Sequence, residues 1–219
     1  CTRLLVADGA DVIKVESASR PDGARRGEPA FFDLLHAGKR SVAVDFGDPD
    51  DRRRLADLIA AADIVIEGSR PRALRHIGIV AEEQVADTST VWVSITGHGR
   101  DPENELAVGF GDDAAVAGGL VAWRSDRRPR FAADAIADPL TGVVAHRAVV
   151  EATGAGGGCL VDVALAQVAG VVAGVDGGRV WVEVDPADVQ RPSVPSPSSG
   201  RAPELGEQTV EVLDQLGIA

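Results

Sequence analysis

Between residues 11 and 173 the chain keeps switching between two periods, and that alternation restricts it to an α/β fold built on a parallel sheet. The runs at 11–15, 41–46, 63–67, 91–96 and 159–163 are short, apolar and rich in β-branched residues, as strands buried on both faces are. Helical spacing occupies 50–62, 138–153 and 164–173. The first of these helices carries the clearest local signals. Asp48-Pro49-Asp50 supplies an N-cap and an early proline, and Leu55, Leu58, Ile59 and Ala62 recur at three- and four-residue intervals on one face.

From Asp176 the pattern changes. Residues 179–184 alternate as an antiparallel or edge strand does, and 190–203 reads as a Pro/Ser-rich linker too polar to pack. Val210, Leu213, Leu216 and Ile218 then mark an amphipathic closing helix. Hydrophobic residues make up 45% of 219, enough for one substantial core, and no apolar run is long enough to span a bilayer. Cys1 and Cys159 provide no disulfide framework, so plain thiols in a reducing cytoplasm are expected.

Charge narrows the partners. The net charge of −12 is uneven: residues 1–80 hold 13 basic and 13 acidic side chains, whereas 81–219 hold 9 and 21. Nothing resembles a basic face with interleaved aromatics, which argues against nucleic acid. A small polyanion suits the neutral half, where Arg20, Arg25, Arg26, Lys39, Arg40, Arg70, Arg72 and Arg75 fall between strands. No His, Cys or acidic cluster has ligand spacing, so no metal is expected. The glycines at 154 and 156–158 precede a strand instead of following one, which makes them a flexible turn and not a dinucleotide loop. With no glycine fingerprint after the first strand, an NAD-dependent enzyme is the weakest of the readings.

The order of four strings is more specific than any of them alone. LLVADGADVIKVE at 4–16, GKRSVAVDF from Gly38, DIVIEGSRP from Asp63 and VSITGHG from Val93 together resemble the family III CoA-transferases, the CaiB/BaiF proteins, over Cys1 to about Gly174. The resemblance resumes at Leu205-Gly206-Glu207-Gln208-Thr209, with Gln208 where relatives usually have His. It implies a Rossmann-like doubly wound sheet lacking its first strand and most of the family's small domain. The expected division is a large domain at 1–174, a short strand and linker at 175–203, and a helix at 204–219 returning to the large domain. The absence of methionine and the helical opening, TRLLVADGA, suggest a cut from a longer protein. Relatives interlock as dimers through a ring that a chain without the small domain is not expected to form.

The resemblance also implies chemistry: CoA passes from an acyl-CoA to a small carboxylic acid through an aspartyl intermediate, with CoA as substrate and no permanently bound cofactor. A carboxylate suits that step because its anhydride is readily attacked. In relatives the aspartate is expected in a G-Y-D or G-H-D triplet, and the matching register here falls on Gly111, in Gly109-Phe110-Gly111-Asp112-Asp113. Two readings stay open. Either Asp112 or Asp113 has taken the role by a shift, or both merely cap a helix beginning at Ala114. Asp138, in Ala-Asp-Pro-Leu-Thr-Gly, reads as the cap of the following helix. The Gly97-His98-Gly99 loop is expected beside the thioester, with His98 in a shape role or as an acid or base in a racemase variant. Lys39 and Arg40 are the expected contacts to CoA phosphates, followed by Arg70, Arg72, His76 and Arg25.

Three functions therefore remain: an acyl-CoA:carboxylate CoA-transferase, a catalytically degenerate CoA-binding or assembly partner, and an acyl-CoA racemase. The expected partner is a homodimer mate or a fused or paired second half. A carboxylate of the 109–113 segment facing the Gly97–Gly99 loop would separate enzyme from partner.

Overall fold

The computed structural model describes residues 1–104, 106–123, 125–174 and 200–219, which gather into two compact units. The strand expected at 179–184 and the linker up to 199 lie outside the described residues.

One unit comprises 2–62 and 200–219. Helix α1 (Thr2–Ala7) leads to β1 (Ile13–Ser17), α2 (Pro29–His36), β2 (Arg40–Val44) and α3 (Pro49–Ala60). β1 and β2 pair in parallel from Ile13 opposite Arg40 to Ser17 opposite Val44. Helix α3 begins as its sequence requires: Pro49 fills the first turn, and the Asp48 side chain accepts from the Asp50 and Asp51 N–H groups. Its Leu58 joins Val42, Val44 and Val212 in the core, with Ile13, Val15 and Leu213 packed around them.

The closing helix, Thr209–Leu216, docks in this unit beside the outer edge of β2. There side chains stand in for a further strand. The Ser41 N–H donates to Gln208 Oε1 (2.9 Å), the Ala43 N–H to Thr209 Oγ1 (3.0 Å), and the Gln208 N–H to the Ser41 carbonyl (3.0 Å). The reading of 190–203 as unpacked needs correction at its end. Ala202 and Pro203 are buried, because the Ala202 N–H donates to Asp33 Oδ1 and Arg25 holds the Pro203 carbonyl.

The other unit comprises 63–174 with Cys1. It contains β3 (Ile64–Glu67), α4 (Pro71–His76), α5 (Ala81–Val85), β4 (Val91–Thr96), α6 (Gly111–Ala117), a hairpin of β5 (Val121–Trp123) and β6 (Pro129–Phe131), α7 (Ala137–Gly154), β7 (Cys159–Ala164) and α8 (Leu165–Ala173). Its sheet runs β3-β4-β7, all parallel, with Val91, Trp92 and Val93 of the central strand buried. The α/β class with parallel strands stands as expected. The strands are distributed over a pair and a trio, since no ladder among the described residues joins β1 or β2 to β3.

Small residues bring α6, α7 and α8 together: Ala114, Ala115, Ala137, Leu165 and Ala169 form a buried cluster. The turn before β7 is less free than its glycines suggest. Gly157 has φ +71°, and a Cβ there would lie 1.9 Å from the Ser89 carbonyl oxygen, so only glycine fits. Among the described residues no helix is long and apolar enough to cross a membrane.

Candidate active site

Strand β4 ends in Gly97-His98-Gly99, at the carboxyl edge of the β3-β4-β7 sheet, where open α/β sheets take ligands. The loop is tied down group by group. The Gly97 carbonyl accepts from the Ala166 N–H at the start of α8 (3.0 Å), and the His98 carbonyl from Asn104 Nδ2 (3.0 Å). The Gly99 N–H donates to Thr96 Oγ1 (2.8 Å), whose hydroxyl donates to Asp162 Oδ1 (3.3 Å), and the Arg100 N–H donates to Asp162 Oδ2 (2.7 Å). Gly99 has φ +102°, a conformation that disfavours any side chain.

Beneath the loop lies a buried polar cluster. Glu67 is 5% exposed and accepts from Trp92 Nε1 (3.1 Å) and the Ser69 hydroxyl (2.9 Å). The Arg100 guanidinium stands 3.6 Å from Glu67 and donates to Ser94 Oγ (3.0 Å) and Glu82 Oε1 (2.8 Å). Burial opposes ionisation of Glu82, yet the bond from Arg100 holds its carboxyl below the usual range.

The segment leading into α6 touches the same loop. A Cβ on Gly97 would lie 2.6 Å from the Gly109 Cα, and one on Gly109 would lie 3.2 Å from His98 Nε2. Two glycines are what permit this backbone contact.

Helix α6 starts at Gly111, three residues before the expected Ala114. Asp112 and Asp113 both serve backbone donors: Asp113 Oδ1 accepts from the Phe110 N–H at the helix start (2.7 Å), and Asp112 Oδ1 from the Ala135 N–H ahead of α7 (2.7 Å).

Asp138 requires a correction. It does not cap α7: the N-cap is Ile136, with no side-chain bond, and Asp138 lies inside the first turn. Its carboxylate instead approaches the opening of α6, where a Cβ on Gly111 would stand 2.7 Å from Asp138 Oδ2. The missing side chain at 111 leaves that space. No hydrogen-bond partner for the Asp138 carboxylate is found among the described residues. Partial burial, and then the charges of Asp112 and Asp113, raise its pKa above the ordinary carboxylate value. Sequence reasoning missed this group. The available signal was a vacancy at 111 coupled with a second aspartate at the start of the next helix.

The expected phosphate contacts divide between the units. Arg70, Arg72 and His76 lie on and just before α4, at the carboxyl edge of the β3-β4-β7 sheet. All three are exposed, and their side chains make no ion pair or hydrogen bond among the described residues. In the other unit the cations are engaged. Lys39 is 7% exposed, its ammonium donating to Thr2 Oγ1 (2.8 Å) and His36 Nδ1 (3.0 Å), and burial followed by the charge of Lys14 pushes its pKa down to about 8. Arg40 grips Asp11 and donates to Gln215 Oε1 (2.6 Å). Arg25 clamps the buried Glu16 through Nε (3.0 Å) and Nη2 (2.6 Å), holds the Pro203 carbonyl (3.0 Å), and stacks on Phe32. Among the described residues no group of three or more His, Cys, Asp or Glu side chains is arranged to hold a metal.

Known proteins match this chain along most of its length. The family model for CoA-transferase family III matches residues 1–193. A succinate–glutarate CoA-transferase of Agrobacterium fabrum is 30% identical over 193 residues, covering 78% of this chain and 48% of the relative. A formyl-CoA:oxalate CoA-transferase of Escherichia coli is 29% identical over 153 residues, covering 65% and 37%. Among solved structures, a CaiB/BaiF family protein of Brucella suis superposes with a TM-score of 0.69 at 29% identity, covering 79% of this chain and 50% of that one. The chain thus spans less than half the length of the curated relatives it matches.

Proposed function

We propose, from the premise that this chain belongs to CoA-transferase family III, that it moves coenzyme A from an acyl-CoA to a carboxylic acid, with Asp138 as the carboxylate that accepts the acyl group. The observation that carries this reading is the Asp138 carboxylate itself, without a hydrogen-bond partner among the described residues, partly desolvated and standing against Gly111. A desolvated carboxylate of raised basicity is a stronger nucleophile than one bound to backbone amides, as those of Asp112 and Asp113 are.

An Asp138 oxygen attacks the thioester carbonyl carbon, the C–S bond breaks, and CoA leaves as thiolate, giving a mixed anhydride. The thiolate attacks the aspartyl carbonyl, releases the first carboxylate and forms an aspartyl-CoA thioester. An acceptor carboxylate attacks that thioester to give a second anhydride, and CoA thiolate returns to the acceptor's acyl carbon, freeing Asp138.

Coenzyme A enters as substrate, with its phosphates on Arg70, Arg72 and His76, whose exposed side chains have no acidic partner among the described residues. Lys39, Arg40 and Arg25 serve instead to hold their own unit together. The acceptor class is a small dicarboxylic acid, supported by the oxalate, succinate and glutarate in the relatives' names. A second copy or a separate half, in a cytoplasmic setting, completes the reading.

One observation favours a second reading, a non-catalytic CoA-binding half: glycine occupies the in-register position, and the two carboxylates that follow it are consumed by backbone bonds. Trapping separates the two. The protein is incubated with acyl-CoA esters, treated with hydroxylamine or borohydride, and mapped by mass spectrometry. A modification at Asp138 that disappears in Asp138→Asn is expected; CoA binding without any adduct would replace the transferase with the partner.

A further inference from the structure

The Gly97-His98-Gly99 loop is fixed at four backbone groups in and beside it, and its first two amides have no acceptor among the described residues. The Gly97 and His98 carbonyls and the Gly99 and Arg100 N–H groups all have protein partners, whereas the consecutive N–H groups of Gly97 and His98 have no acceptor among the described residues. These two residues are partly open, unlike the buried Gly99. Gly97 is also in backbone contact with Gly109, two residues before the Gly111 position that Asp138 faces.

We infer that the N–H groups of Gly97 and His98 form the oxyanion hole for the thioester carbonyl, and that Asp162 and Arg100 are the positioning residues that hold it rigid. The inference rests on Asp138 as the attacking group. When its oxygen bonds to the carbonyl carbon, the carbonyl π pair moves onto oxygen, and the two amides receive that charge until it collapses and expels CoA thiolate. Donors that are already fixed stabilise developing charge without reorganising, which is where such sites gain their rate.

The fixing is done by a chain of bonds from another strand. Asp162 of β7 receives the Arg100 N–H on one oxygen and the Thr96 hydroxyl on the other, and Thr96 in turn receives the Gly99 N–H. The Arg100 side chain anchors the far end of the loop to Ser94, Glu67 and Glu82. Both ends of the loop and the Gly97 and His98 carbonyls are thus held, which opposes any turning of the Gly97 and His98 amides.

The test uses the full 219-residue chain. In Asp138→Asn, which cannot form the anhydride, acetyl-CoA labelled with ¹³C at the thioester carbonyl is read by isotope-edited infrared spectroscopy. The bound carbonyl band is expected at lower wavenumber than in free acetyl-CoA, and to return toward the free value when Asp162→Ala is added. In the chain with Asp138 intact, Asp162→Ala is expected to slow single-turnover adduct formation on the order of 10²-fold, with CoA affinity changed far less. An unshifted band in Asp138→Asn, when the chain with Asp138 intact does form the adduct, overturns this inference and leaves the transferase standing. A shifted band without any adduct supports the oxyanion hole and overturns Asp138 as nucleophile. A shift unaffected by Asp162→Ala overturns the positioning role.

Discussion

Gly111 and Asp138 share one space: a Cβ on the glycine would stand 2.7 Å from the aspartate's Oδ2 and 2.6 Å from the Ala135 carbonyl oxygen. The place where a nucleophile is expected by register is therefore filled by a carboxylate from the next helix. Gly111→Ala is expected to destabilise the protein by about 1–3 kcal/mol and to displace Asp138, lowering adduct formation. Chemical denaturation and trapping on one sample check both effects. Undiminished stability and trapping would mean that the two residues do not compete.

Asp113 and Asp138 should respond in opposite ways to neutralisation. Asp113→Ala removes the acceptor for the Phe110 N–H and is expected to cost about 1 kcal/mol of stability while the Asp138 adduct still forms. Asp138→Asn removes a carboxylate of raised pKa that has no hydrogen-bond partner among the described residues, so stability should hold while the adduct is lost. Adduct mass mapping to Asp113 would reverse the assignment.

The cations should separate by what their loss harms. Arg25→Ala leaves Glu16 buried without its main counter-charge and is expected to cost about 3 kcal/mol, read as a lower urea midpoint. Arg70→Ala and Arg72→Ala remove no ion pair or hydrogen bond found among the described residues, so the midpoint should hold while CoA affinity falls several-fold and loses part of its salt dependence in calorimetry. Equal CoA affinity in both variants would move the phosphate site elsewhere.

His36 makes stability depend on pH. Burial, then the charges of Lys39 and Lys14, push its pKa from 6.5 down to about 4. Between those values the unfolded chain binds more protons than the folded one, so stability falls as pH drops from 6.5 to 4 and His36 adds no further loss below that. The contribution is of order 2–3 kcal/mol. Urea midpoints at pH 7, 5.5 and 4 should show the fall, and His36→Gln should flatten it. Lys39, pushed down to about 8, gives the same sign at higher pH: stability rises from about 8 toward 10.5.

The strands and α3 were legible because their signals are local. β-branched runs mark β1, β2, β3, β4 and β7 to within two residues, and Asp48-Pro49 starts α3 where the rule places it. Helix α2 escaped notice because its eight residues are too few to sustain a periodic pattern. Strands β5 and β6, three residues each, are too short to show a period of two. At the site, the Gly97–Gly99 loop was visible from its glycines. The meeting of Asp138 with Gly111 was not, because it spans 27 positions and depends on how α6 and α7 pack. Lys39 shows the same limit, since its sequence neighbours announce a cation without saying which way it points.

The seam between β2 and the residues just before the closing helix has a consequence for association. Gln208 and Thr209 spend side-chain oxygens on the Ser41 and Ala43 amides, and the Gln208 N–H takes the Ser41 carbonyl. Three backbone groups on that flank of the pair are therefore already engaged and offer no template to a passing chain. Lateral growth of the sheet there, whether productive assembly or unwanted polymerisation, would first have to displace Gln208 and Thr209.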